Sequence, residues 1–315
     1  MYQMMSLPLY SGTFQEYDSW RDLGQELERL GCDGIEGVWG GEDLPKDLPA
    51  ELILGYHLIF YPDWLDFYRD DRAALKQKFG SLEAVASFYG GLGPDTLLEQ
   101  YRADLRRAVN LGARYVVFHV SDVSLEEGYT YRWLHTNQEV IDAAVEVVNL
   151  ILGEERWPFE FLVENQWWPG FTFTEPEETA RLLEGIRFAG KGILLDTGHL
   201  MNACTELKTE AEGADYIRSM LNRHGSLAKW VRGVHLHQSL SGAYVKAHTG
   251  SLPAGLPEDY MERFGVSYQH ILQIDQHRPW TDPAILPVLE QIEPRYLTHE
   301  LSSRGRMARA EAVSI

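Results

Sequence analysis

Residues Gly192–Leu200 read GILLDTGHL: a short apolar run, then an aspartate, a Thr-Gly pair and a histidine. A run of that length, led by a glycine and closed by polar residues, has the character of a buried strand. Its chemistry-bearing residues, Asp196 and His199, come only at its C-terminal end. The same order recurs in LILGYHLIFYPDW around His57, YVVFHVSD around His119, FEFLVENQWW around Glu164, GVHLHQS around His235 and His237, and YLTHEL around Glu300. Together with two earlier runs these predict strands at Ser6–Tyr10, Gly34–Val38, Ile53–Ile59, Tyr115–Val120, Phe159–Glu164, Gly192–Asp196, Gly233–His237 and Arg295–Glu300.

Helical spacing fills the intervals. Tyr17–Leu30 repeats Leu23, Leu27 and Leu30 and stops at Gly31; Asp95–Leu111 follows Pro94; Asn137–Leu152 carries Ile141, Val145 and Val148 on one face. Pro176–Ile186, with Thr174 as its expected N-cap, and Asp282–Ile292 complete the series. Strands alternating with helices imply right-handed βαβ units and a parallel sheet. Eight repeats predict an α/β chain forming a (β/α)8 TIM barrel, one domain over 1–315. The doubly wound alternative lacks its GxGxxG turn after the first strand. Long insertions are expected after strands 3 and 7, with two extra helices in Asp63–Gly90 and a loop-rich lid in His237–Trp280.

Composition narrows the function. Of 315 residues, 28 are Lys or Arg and 47 are Asp or Glu, a formal net charge of −19, which opposes binding to nucleic acid or anionic membranes. Cys32 and Cys204 make no disulfide framework, so a reducing cytoplasm is expected. The opening MYQMMSLPLY lacks a basic n-region, so no signal peptide is expected, and no apolar run is long enough to span a membrane. A homo-oligomer is compatible with these features.

Barrel enzymes carry their catalytic groups at the C-terminal ends of strands. Successive strand side chains face opposite ways, so Leu162 shares a face with Glu164, Leu194 with Asp196, His235 with His237 and Thr298 with Glu300. If that face is inward, Glu164, Asp196, His235 and Glu300 meet at the barrel mouth. Carboxylates packed there repel unless a cation lies between them, and carboxylates with an imidazole suit Mn, Zn, Co or Mg. The other strand-end groups divide between functional and structural readings. Glu36 is balanced between them; Trp167 and Trp168 either wall an apolar or sugar-binding surface or pack; Arg278 either binds a phosphate or hydroxyl or lies on the surface. His224, His248, His270 and His299 read as structural, with His299 turned outward, and Cys204 as a plain thiol.

The ordered set GYH, VFH, VEN, LLDTGH, HLH and a late glutamate resembles the xylose-isomerase-like barrel superfamily from Leu7 to Leu301. That superfamily includes sugar-phosphate isomerases and epimerases, inosose dehydratases and endonuclease IV. The resemblance implies one divalent metal on Glu164, Asp196, His235 and Glu300, with His199 contacting substrate. It also implies a second arrangement. Endonuclease IV-like members hold three zinc ions with further ligands, which here correspond to His57, His119, His199, Asp275 and His277.

Two functions from these residues stand side by side. In one, Glu164 and Glu300 shuttle a proton through an enediolate of a small sugar or polyol-type carbonyl compound, with His199 polarising an oxygen and Trp167, His237, Glu36 and Arg278 lining the substrate. In the alternative, a multi-zinc cluster hydrolyses a phosphodiester. Inosose-type dehydration and a non-catalytic binding barrel are the remaining options.

Overall fold

Met4, Leu54, Tyr115, Val117, Leu162, Leu194 and Tyr296 are buried against one another inside a ring of strands. The ring is β1 Tyr2–Leu9, β2 Gly34–Trp39, β3 Ile53–His57, β4 Tyr115–His119, β5 Glu160–Glu164, β6 Lys191–Asp196, β7 Val231–His235 and β8 Tyr296–His299. The computed structural model describes residues 1–315, and its strands pair in parallel in sequence order, β8 closing on β1. This is the eight-stranded α/β barrel expected. Alternation explains the interior: Leu162 and Leu194 point inward, so Glu164 and Asp196, two residues on, do the same. Burial of each such apolar side chain contributes about 1.5–3 kcal/mol.

Outward-facing strand residues pack against the helices in a larger core that includes Leu7, Ile35, Val116, Phe118, Phe161, Val163, Ile193 and Leu195. The helix Asn137–Leu152 shows how the sequence sets this up. Thr136 accepts from the Glu139 N–H while the Glu139 carboxylate takes the Thr136 N–H, and Val140, Ile141, Ala144, Val147, Val148 and Ile151 are buried on one face. The helix Trp20–Arg29 is capped by Ser19 and buries Leu23 and Leu27; Gly31 follows at φ 72°, a conformation that glycine adopts without strain.

Register sets the level of the strand ends. His119 lies beside Glu164, and Asp196 beside His235, in neighbouring strands. Irregular pairing at Ile35/Glu36 and Ile193/Leu194 re-aims β2 and β6 just below the mouth.

Several local expectations are corrected. The helix Pro176–Gly185 is preceded by Glu175 as N-cap, with no side-chain cap; Thr174 instead shares a 2.7 Å hydrogen bond with Thr172. The stretch after β3 forms three short helices, Leu65–Tyr68, Arg72–Phe79 and Leu82–Tyr89, rather than two. The region read as a loop-rich lid contains two helices, Gly242–His248 and Tyr260–Ile274. The second is announced by Asp259, whose carboxylate takes the Glu262 N–H at 3.0 Å, a cap that its Gly- and Pro-rich surroundings obscured. No helix is long and apolar enough to cross a membrane.

Candidate metal centre

Ten side chains converge at the C-terminal mouth in three adjoining groups. His57, His119 and Glu164 form one; Glu164, Asp196, His235 and Glu300 form the next; His199, His237, Asp275 and His277 form the third. Within each group the ligand-type atoms lie within 4.8 Å of one another. Glu164 belongs to two groups. Its Oε2 faces His57 Nε2 at 3.3 Å and His119 Nε2 at 3.0 Å, while its Oε1 faces His199 Nδ1 and His235 Nδ1, each at 3.3 Å.

The outer nitrogens decide the tautomers. His57 Nδ1–H donates to the Leu58 carbonyl at 2.8 Å, His199 Nδ1–H to the Asn165 carbonyl at 3.0 Å and His277 Nδ1–H to the Glu300 carbonyl at 2.9 Å. His235 Nε2–H donates to Glu36 Oε1 at 2.9 Å. Each neutral ring then turns its other nitrogen, a lone pair, toward the centre. There, Glu164 Oε1 and Oε2, His235 Nδ1, Glu300 Oε2 and Asp275 Oδ1 are buried without hydrogen-bond partners. Buried polar atoms are ordinarily paired. Lone pairs and carboxylate oxygens aimed at one another are the donor set of a cation site, and these residues fit divalent metal.

With no cation between them, the carboxylates favour the protonated form of most of these rings, a proton that a metal ion would displace. Burial pushes the Glu164 carboxyl upward, but His119 and His235 outweigh it and hold the group well below the usual carboxylate range. Burial acts the same way on Glu300, and His235 overcomes it to bring the carboxyl down to about 2. Burial disfavours charge on His277, and Asp275 reverses this, raising the ring to about 10. His119 goes the other way: its burial prevails over Glu164 and its pKa is lowered.

A layer of hydrogen bonds holds these groups in place. Glu36 accepts from the Tyr115 hydroxyl at 2.5 Å and from Thr298 at 3.0 Å besides His235. Tyr115 fits because residue 55 is glycine; a Cβ there would strike the Tyr115 ring. The Asn165 side chain brackets Asp196, accepting from its N–H at 2.8 Å and donating to its carbonyl at 3.0 Å. His237 Nε2 is 2.8 Å from Asp196 Oδ2, and its ring stacks on His277 with centroids 4.1 Å apart. His277 itself sits at φ 46°, a left-handed conformation uncommon for a side chain of this size.

Above the groups lies a cavity of about 670 Å³, lined among others by His57, His119, His199, Asp275, His277 and Glu300. Glu164, Asp196 and His235 are fully buried and do not line it. Trp167 lines it. Three weaker expectations are corrected. Glu36 is buried behind His235, and His237 is buried behind Asp196, so neither reaches the cavity. Arg278 is exposed, and its main chain pairs with Gln238 at 2.8 and 3.1 Å.

His270, read as structural, is hydrogen-bonded to Tyr244 and the Gly128 carbonyl, yet it also lines the cavity. Sequence reasoning misses Gln166. It lines the cavity with its amide 3.1 Å from His199 Nδ1, and strand alternation from Glu164 could have found it. A second hollow of about 980 Å³ lies at the opposite end among Arg114, Glu160 and Arg295, away from every one of these histidines.

A family model described as xylose isomerase-like TIM barrel matches residues 25–287. Among solved structures, a D-tagatose 3-epimerase-like protein is similar at 15% identity and TM-score 0.52, covering 99% of this chain and 94% of that one. A mannonate dehydratase from Streptococcus suis serotype 2 is similar at 14% identity and TM-score 0.52, covering 99% and 91%. Endonuclease IV from Thermus thermophilus matches at 17% identity and TM-score 0.45, covering 99% and 96%. At these identities the first two show a shared fold alone. No curated protein matches the sequence.

Proposed function

From the premise that this chain belongs to the xylose isomerase-like TIM-barrel family, we propose that it is a multinuclear metal-dependent hydrolase of small phosphate esters. One observation carries the reading: Glu164 belongs to two of three adjoining groups, its Oε2 facing His57 and His119 and its Oε1 facing His235 Nδ1. A carboxylate engaged on both sides would be shared between neighbouring metal ions, which would leave it no free oxygen to exchange a proton with a substrate carbon. This argues against the one-metal, two-glutamate proton shuttle that the sequence also allowed. Charge argues the same way. One divalent ion among Glu164, Asp196 and Glu300 leaves an excess of negative charge, whereas three ions against those carboxylates and Asp275 leave an excess of positive charge that favours an anionic phosphate.

Divalent ions held there would supply Lewis-acid polarisation of a phosphoryl oxygen and a water acidic enough to attack near neutral pH. The chain's own residues do the rest. His57, His199, His235 and His277 are locked in orientation by their outer hydrogen bonds. Glu300, which lines the cavity, accepts the proton that water loses as its oxygen adds to phosphorus. One P–O ester bond breaks, and the departing alkoxide takes up the proton that Glu300 received from water. The substrate is a small molecule rather than nucleic acid, in keeping with a net charge of −19. The cytoplasm is the proposed compartment, since both cysteines are free.

The test couples metal content to turnover. About three zinc or manganese ions per chain with hydrolysis of bis(p-nitrophenyl) phosphate supports the reading. One ion per chain with turnover of ketoses or inososes replaces it with the isomerase or dehydratase alternative, and nicking of abasic-site DNA at low salt replaces the small-molecule substrate.

A further inference from the structure

The cavity wall has a composition that the metal chemistry does not require. None of its lining residues is Lys or Arg. Its only carboxylates, Asp275 and Glu300, belong to the metal groups. No cation is therefore available to hold a second phosphate. Besides serines and aliphatic side chains, the wall carries a set of aromatic rings that begins at the metal-group histidines themselves. Phe60 lies against His119 with centroids 4.3 Å apart, and Trp167 against His199 at 5.1 Å. Trp168 follows Trp167 at 4.1 Å, Tyr129 stacks on His270 at 4.3 Å, and all four residues line the cavity. A volume of about 670 Å³ admits a ligand of one or two rings beyond the phosphate.

We propose that the substrate carries one phosphate, held at the three metal groups, joined to a neutral planar aromatic group seated between Trp167–Trp168 and Tyr129–His270. The proposal rests on the phosphate-ester reading above and specifies its substrate class. Ring faces attract other ring faces in offset or edge-on geometry and offer little to a polyanion. A polynucleotide needs a succession of cations along its backbone, and this wall supplies none.

The experiment compares two phosphonates, which bind without being hydrolysed, with a sugar phosphate whose release of inorganic phosphate is followed in parallel, so that its binding is read before turnover. Zinc-loaded full-length protein is titrated with 1-naphthylmethylphosphonate, methylphosphonate and ribose 5-phosphate, with tryptophan fluorescence and calorimetry as readouts. The naphthyl compound is expected to bind about tenfold tighter or more than the methyl compound, the range seen for ring stacking on protein aromatics. Phe60→Leu, at a half-exposed position where folding is not at risk, and Trp168→Leu should each narrow that ratio.

Equal affinities for all three compounds, or tightest binding of ribose 5-phosphate, would overturn the aromatic assignment and leave the hydrolase reading standing. Failure to hydrolyse any ester at full metal load would overturn the hydrolase reading, while the naphthyl-to-methyl binding ratio would still be measurable.

Discussion

Glu36 Oε1 receives the Nε2 proton of His235 at 2.9 Å, joining side chains on opposite sides of the barrel interior, 199 positions apart in the chain. This bond leaves His235 Nδ1 as the lone pair facing Glu300 Oε2 at 2.9 Å. Replacing Glu36 with leucine would free the tautomer and strip partners from Tyr115 and Thr298 as well. Outer hydrogen bonds of this kind are typically worth about 10–100-fold in metal affinity. Chelator competition on Glu36→Leu should show a loss of that size; unchanged affinity would mean that Glu36 only fills space.

Glu164 is the member common to two groups. Glu164→Gln removes the charge from both and should lower the metal count by about two ions per chain. The group of His199, His237, Asp275 and His277 should keep its own. Elemental analysis after stripping and reloading reads this directly, and a stoichiometry unchanged from wild type would disprove the bridging role.

Gly198 lies under the His237 ring, so a Cβ at 198 would overlap that ring. Alanine favours a helix interior by about 1 kcal/mol over glycine, yet overpacking typically costs about 1–3 kcal/mol. Gly198→Ala should therefore destabilise the fold in urea and loosen the His237–Asp196 contact. A stabilised variant would show that His237 has room to move.

Lys78 is the one ammonium among three buried carboxylates, reaching Asp63 at 2.7 Å and Asp66 at 2.8 Å, with Asp122 close by. Burial raises the Asp63 carboxyl to about 7 despite Lys78. Burial also raises Asp66, but hydrogen bonds from His135 and Lys78 outweigh it and bring that group to about 2. Removing one partner of a buried charge pair typically costs about 3–5 kcal/mol, and Lys78→Met should lose stability on that scale.

The sign with pH follows from Asp63. Its folded pKa lies above its unfolded value, so the folded state binds the extra proton and its stability declines as pH rises from about 4 toward 7. In the Lys78→Met variant this decline should steepen and extend to higher pH. Urea midpoints at pH 5 and pH 8 would measure it, and an equal loss at both would contradict the assignment.

Much of this molecule was legible from order along the chain. The eight strands follow from short apolar runs closed by polar residues, and two-residue alternation correctly turned Glu164 and Asp196 inward with Leu162 and Leu194. These are local properties, carried by neighbouring residues. Arg278 shows the limit: one residue from His277 in sequence, it points to solvent, because His277 takes a left-handed turn and Arg278 pairs its main chain with Gln238. Closure of the barrel, and the register that lays His119 beside Glu164 and Asp196 beside His235, decided how the strand-end groups divide. Strand length and residue type leave that division open. The ring's stagger brings distant oxygens and nitrogens within a few ångströms, and so decided that Glu164 serves two groups and that Glu36 orients His235 from behind.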